Sequence, residues 1–554
     1  MGILDPIGPD EERIWLLDVD LGGRVERFAT RAVTVSRADG STLRYRAGLG
    51  ELRINLADAS SATMGIPLEI DADPEGSTWA KLSAQGLEAD RRPGTLYRWT
   101  PGEELERALV VLTGFYTGVR FDQAGEGLEL TLTRIPWDPA QTVPHSDAVV
   151  SAQTWPVRTS PTFETDERIR GAYYPRVYGY VGRAQAGGTP ALVVEYRLSN
   201  PQRQTSIAVI AEGEVDATNV RIFDYDEPGQ NPVSVDRPVL TTSDLLGRTV
   251  SVCDMQGVGW NTFHWEPGRA FYVSWRNLAG FGGGVPRIDG TGPIRGWAEV
   301  VLDLLDTYTD VDVDRAAFEG EASYLNAWKL DGVINQPAEA WRLIESELVP
   351  LVPVRVLQSS AGLYFRVMRW EATASMATHR IEASRAGVER LAFGARPAES
   401  MRNRFVLDYR ADRQTGKYDR RVRLQSRLVP GNDRVFSSRR CFRSRRRLKI
   451  AGQPRSGIVT HRAESSWIEE DATALRTVES WAAQWALPPR PASYQLPVQW
   501  ETQLEIGDVV LLTDHEVEIV DRVCLVHGIT LGAGELLVDL LILEDPLRVT
   551  RALP

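Results

Sequence analysis

The chain has 554 residues, a hydrophobic fraction of 43%, a charged fraction of 25% and a formal net charge of −12. These values exclude bulk disorder, and the length exceeds what one apolar core serves, so about three to five domains are expected. Three cysteines, Cys253, Cys441 and Cys524, exclude a complete disulfide framework and a four-thiolate cluster within one chain.

The opening "MGILDPIGPDEER" has acid where a signal peptide needs base, and Pro6 spoils the myristoylation pattern. No apolar stretch approaches the roughly 20 residues of a membrane helix. A soluble protein made in a cytoplasm is the expectation. The region before residue 270 reads as short strands: "EGLELTLTR" alternates Leu128, Leu130 and Leu132 with Glu129, Thr131 and Thr133, and "ALVVEYRLS" and "RTVSVCDM" are similar. "GFGGGVPRIDGTGPIRG" (Gly280–Gly296) reads as a hinge or linker, since no Gly-Lys-Ser/Thr follows to make it a phosphate loop.

The period then changes. Trp297, Val300, Val301, Leu304 and Leu305 fall on one face of a helix. A second helix is predicted after Pro337, with Trp341, Ile344 and Leu348 on one side, and "VRVLQSSAGLYFRVMRW" reads as a hairpin. A third helix is predicted from a capping box, Ser466 with Glu469, with Leu475, Val478, Ala482 and Trp485 inward and Pro488–Pro489 as its stop. Strands close the chain: "GDVVLLTD", "EVEIVDRVCLVHGITL" and "ELLVDLLILED".

Local motifs for chemistry are few. The six histidines, His145, His264, His379, His461, His515 and His527, form no H-x-H or H-E-x-x-H pair, and no G-x-S-x-G elbow occurs. "DVDVDRAAFEGE" places Asp310, Asp312, Asp314 and Glu321 at calcium-loop positions, but Arg315 stands where the loop needs Gly. In an alternative reading, Asp314 caps a helix or ends a turn. Cys441, among arginines, is either a reactive thiol, if exposed, or a small half-buried residue. No catalytic residue, metal or cofactor is assigned.

Charge is concentrated in one place. Residues 401–449 hold 15 Arg and 2 Lys against 4 Asp, a balance of +13, which leaves about −25 for the rest by subtraction. Within them "SRRCFRSRRRLKI" packs seven cations into thirteen positions. As a strand it has one nearly all-cationic face, Arg439, Arg443, Arg445, Arg447 and Lys449 with Cys441. The other face, Arg440, Phe442, Ser444, Arg446, Leu448 and Ile450, turns apolar. Three uses stay open: pairing with anions of another domain or chain, a solvated face, and nucleic acid, although no interleaved aromatics support single-strand binding.

Three blocks together resemble the tail hub proteins of tailed bacteriophages: "YYPRVYGYV" (Tyr173–Val181); "LDGVINQPAEAWRLIESELVPLVPVRVLQSSAGLYFRVMRW" (Leu330–Trp370); and "NRFVLDY" (Asn403–Tyr409) with "LEIGDVVLLTD" (Leu504–Asp514). The resemblance implies a multidomain β-rich α+β chain with two β-barrel-like hub domains flanking further β and small α+β domains. The expected division is 1–145 as an N-terminal barrel-like hub domain, 146–280 as a β-rich second domain and 281–295 as a Gly-rich linker. A small α+β domain follows at 296–395, and a C-terminal β-rich hub domain with one helix at 396–554.

By that resemblance the chain is a structural virion protein at the distal end of the phage tail. Its homotrimer would join a sixfold tail tube, or a distal tail protein, to a threefold central spike or fibre, and phage DNA would pass through without sequence-specific binding. Arg439, Arg440, Arg443, Arg445, Arg446, Arg447 and Lys449 would then hold subunits or rings together, with most of them off the channel wall. Two alternatives are the hub part of a contractile secretion spike and a tail-associated cell-wall or capsule glycan hydrolase.

Overall fold

The structure is a computed structural model that describes residues 14–21, 24–49, 52–55, 61–67, 92–121, 127–133, 141–151, 171–182, 189–197, 204–225, 233–244, 246–254, 270–274, 283–287, 292–359, 362–412, 416–429, 432, 434–449, 457–497, 500, 503–531, 535–544 and 549–550.

Both ends of the chain build one fifteen-stranded sheet. N-terminal strands run from Val33–Ser36 to Leu52–Asn55. C-terminal strands continue from Ile519–Leu531 to Glu389–Phe393, and Thr530 opposite Asn55 and Leu531 opposite Ile54 make the join. The first strand, Ile14–Asp20, starts with four apolar residues, Ile14 to Leu17, and so is apolar on both faces there, where it divides two cores. Trp15, Leu17 and Val19 face the large one with Leu512, Val526 and Leu540, while Ile14 and Leu16 pack with Tyr45 and Trp99. The two end regions, expected as separate barrel-like units, therefore share one sheet and one core.

A closed barrel is present elsewhere, in six strands between Thr189 and Ser274. Closure leaves no strand edge unpaired. Val220, Ile222, Cys253 and Val273 pack together within one of its apolar clusters.

Between these bodies lies an α+β core. Helix α1 (Trp297–Tyr308) buries Trp297, Val300, Val301, Leu304 and Leu305, the predicted face. Helix α2 (Arg315–Leu325) begins at Asp314, whose side chain accepts from the Ala317 amide at 3.1 Å. The predicted second helix is a short α-turn, α3 (Ala340–Leu343), that runs on as a π-turn through Leu348. The hairpin pairs Val354–Ser359 with Gly362–Val367. Further along come α4 (Arg439–Leu448) and α5 (Asp471–Trp485). The same core also takes Phe405, Leu407 and Tyr409 from the strand Arg404–Asp412 and Leu475, Val478 and Ala482 from α5, so it extends past residue 395. Helix α5 starts five residues after Ser466, the predicted cap, with Glu470 at its N-cap and no side-chain cap bond.

The glycine-rich stretch is not a free linker. Of its described part, Val285 pairs back to Val177, Gly284 donates to the Gly179 carbonyl, and Pro286 bridges to Pro293. A Cβ on Gly284 would sit 2.1 Å from the Val177 carbonyl oxygen. These glycines permit close backbone approach, which composition alone does not distinguish from flexibility.

Candidate functional site

The stretch Arg176–Tyr180 is where the barrel side meets the α+β core. Arg176 and Val177 form a short ladder with Ile334 and Val333. Arg176, buried, reaches both carboxylate oxygens of Asp303 on α1 through one guanidinium nitrogen, at 3.0 and 2.7 Å. The Tyr178 hydroxyl donates to the same carboxylate at 2.6 Å, and Tyr308 donates to Glu212 at 2.7 Å. Burial opposes the Arg176 charge, but Tyr178, Tyr308 and Asp303 hold its pKa well above the ordinary value. Burial and then Asp303 push the Tyr178 phenol well up, so it stays a donor.

Gly179 follows at φ +64°, a conformation that favours glycine. The turn aims the Tyr180 amide at Asp331, 2.7 Å away. Asp331 is fully buried and also accepts two donors of Arg295, at 2.7 and 2.8 Å. Arg295 continues to Glu470, beside α5, at 2.6 Å. Burial nevertheless raises the Asp331 pKa, and Arg295 works against that rise. The charged groups of this junction are spent on one another, which is the chemistry of a clamp.

The basic run forms a helix, not the expected strand. Ser438 caps α4 by accepting from the Arg440 amide at 3.2 Å, and the cations of the last turn suit the negative helix end. Cys441 and Ser444 are fully buried, and Leu448, half-buried, continues their i, i+3, i+7 line. The alternation that imitates a strand breaks at Phe442, which is 46% exposed. The signals for the helix were the Ser438 cap and that inward line.

The seven cations divide by role. Arg440 is buried and donates to the carbonyls of Ala483 and Glu544, at 2.9 and 3.2 Å. Arg443 pairs with the Glu544 carboxylate at 3.0 Å, a group that Arg396 also holds. Arg445 reaches the Ser426 hydroxyl at 3.3 Å. Arg439, Arg446, Arg447 and Lys449 are exposed and form no ion pair among the described residues.

The calcium-loop positions do not converge on a cation site. Asp314 caps α2, and Glu321, buried, pairs with Arg369 at 2.8 Å and Arg366 at 3.4 Å. Gln141 donates to Asp310 at 2.6 Å. Among the described residues no group of three or more His, Cys, Asp or Glu is placed to hold a metal. Cys441 is fully buried and its thiol is pushed up to about 12 by burial, so it is not a reactive thiolate. His515 lies exposed in a turn, and His264 lies outside the described residues. Among the described residues no helix is long and apolar enough to cross a membrane.

No family model matches the chain, and no curated protein does. A tail protein from Neisseria meningitidis MC58 is similar over 96% of this chain and 97% of that one, with 8% identity and a TM-score of 0.37. The 43 kDa tail protein of prophage MuSo2 from Shewanella oneidensis is similar over 96% and 98%, with 9% identity and a TM-score of 0.31. A prophage tail protein from Listeria monocytogenes EGD-e is similar over 95% and 94%, with 9% identity and a TM-score of 0.28. At such scores no residue of this chain is matched to a residue of theirs. All three of these solved structures are tail proteins, the latter two from prophages.

Proposed function

We propose that the chain is a structural protein of a phage tail, the trimeric hub that joins a sixfold tube to a threefold spike or fibre at the distal tip. Three copies of a chain that offers two contact regions above and one below would present six contacts to the tube and three to the spike, which is how one symmetry is adapted to another. The observation that carries a multi-copy assembly is the set of four exposed cations on α4 and at its C-cap, unpaired among the described residues, in a chain whose remainder is strongly acidic. Phe442 stands among them, and an exposed aromatic ringed by arginines has the composition of an interface centre. Arg439, Arg446, Arg447 and Lys449 would dock on an acidic face of a neighbouring copy or an adjoining ring, while Arg440, Arg443 and Arg445 fix the helix from within.

A structural role also fits the resemblance blocks. The block Tyr173–Val181 supplies the clamp, Leu330–Trp370 the turn and hairpin beside α1, and Asn403–Tyr409 the strand under α5. The carboxylates of Asp331, Asp408 and Glu321, buried, and of Asp303, half-buried, are engaged by arginines within the chain instead of facing an open cleft as a pair. Purified protein is expected to leave peptidoglycan or capsule suspensions turbid. Clearing that a single carboxylate substitution abolishes would replace the structural role with a hydrolase.

A further inference from the structure

The sheet that carries the strand Arg404–Asp412 turns Phe405, Leu407 and Tyr409 into the core. Its opposite face bears arginines. There Asp408 stands opposite Arg421 in the antiparallel register and accepts from Arg421 at 2.5 Å and from Arg462 at 2.8 Å. Two residues along each strand the same relation recurs, with Val406 opposite Arg423, and the acid is missing. Arg404, on the same strand and face, is a diagonal neighbour of Arg423.

The Nε atoms of Arg404 and Arg423 are buried and without a hydrogen-bond partner among the described residues. Arg445 arrives from α4 and, among the described residues, has only the neutral Ser426 hydroxyl. Burial, and then the charges of Arg423 and Arg445, lower the Arg404 pKa. Buried donors left unmade are costly, and like charges side by side add to that cost. Among the described residues the fold meets this need at Asp408 and leaves it open one step away.

We propose that Arg404, Arg423 and Arg445 receive a carboxylate side chain from another protein chain, seated where Asp408 sits in the neighbouring pair. The shielded Nε atoms favour a group on a slender stem over a duplex phosphate held in a wide rod. Arg446, Arg447 and Lys449, exposed on the last turn of α4 and beyond, would steer an acidic segment towards it. This site does not depend on the hub assignment.

The test uses the full chain and a labelled hexaglutamate peptide, followed by fluorescence anisotropy at moderate salt. Arg404→Gln with Arg423→Gln is expected to weaken binding about tenfold or more. Val406→Asp supplies the missing carboxylate internally. It should abolish peptide binding and keep or raise the thermal midpoint, where an ordinary buried carboxylate would lower it. If native mass falls in Val406→Asp, the carboxylate comes from a second copy; if mass is unchanged while peptide binding is lost, it comes from a different protein. No binding by the unaltered chain, with a native mass that Val406→Asp leaves unchanged, overturns the proposal. So does a lowered midpoint with binding intact, or preferential binding of a short DNA duplex that the same substitutions abolish.

Discussion

Arg176 spans both carboxylate oxygens of Asp303 with a single guanidinium nitrogen, at 3.0 and 2.7 Å, and so ties the first resemblance block to helix α1. Both side chains are largely buried, so removing one strands the other. Asp303→Ala should lower stability by about 3 kcal/mol, whereas replacing both partners by apolar residues of similar size should cost far less. Denaturant unfolding of the two single variants and the double variant measures the coupling.

Gly179 is constrained twice, by its positive φ and by space. A Cβ there would meet Asp331 at 2.2 Å and the Leu330 carbonyl at 2.5 Å. Gly40 also has a positive φ, but nothing lies within 4 Å of its Cβ position. Gly40→Ala should therefore cost about 1 kcal/mol, the backbone share alone, and Gly179→Ala distinctly more. Equal shifts in the urea midpoint would contradict the packed clamp.

Neighbouring arginines on α4 should behave oppositely. Arg440→Gln leaves the Ala483 and Glu544 carbonyls without a charged donor in a buried site and should cost about 2 kcal/mol. Arg446→Gln should stay within about 0.5 kcal/mol, because the side chain is exposed. Thermal unfolding of each variant checks the contrast.

The legible parts of this fold are those with long, clean periods. Trp297, Val300, Val301, Leu304 and Leu305 announce α1, and the alternation around Leu130 and Leu132 announces a strand, because burial on one face writes itself into spacing. Helix α2 is not announced as firmly, since its buried set is Phe318, the charged Glu321 and Leu325, and an acid on the inner face hides the period. The run at Ser438–Ile450 misleads for a related reason: arginine stems fill positions that both a strand and a helix tolerate, so only the cap and the inward line discriminate. Strand partners such as Asn55 and Thr530, from opposite ends of the chain, leave no local signal. The arginines Arg404 and Arg423, whose Nε atoms have no partner among the described residues, are visible only once register sets them beside Val406.

Stability should fall as the solution is acidified below about pH 6.5. His461 packs between Trp481 and Trp485, with ring centroids 4.7 and 4.6 Å away. Burial, and then Arg402, lower its pKa. The unfolded chain then binds a proton that the folded chain resists, so the stabilisation is whole above the unfolded pKa and is lost as pH falls through the folded one. His461→Phe should remove that part of the pH dependence between pH 7 and 5, read from thermal midpoints across the range.

The most direct measurement is the native mass of the purified protein, with negative-stain electron microscopy of the same sample. A trimeric hub predicts the mass of three chains and threefold rings with a central hole, both lost when Arg446→Glu and Arg447→Glu are introduced together. A single-chain mass without rings, unaltered by those substitutions, would contradict assembly through α4.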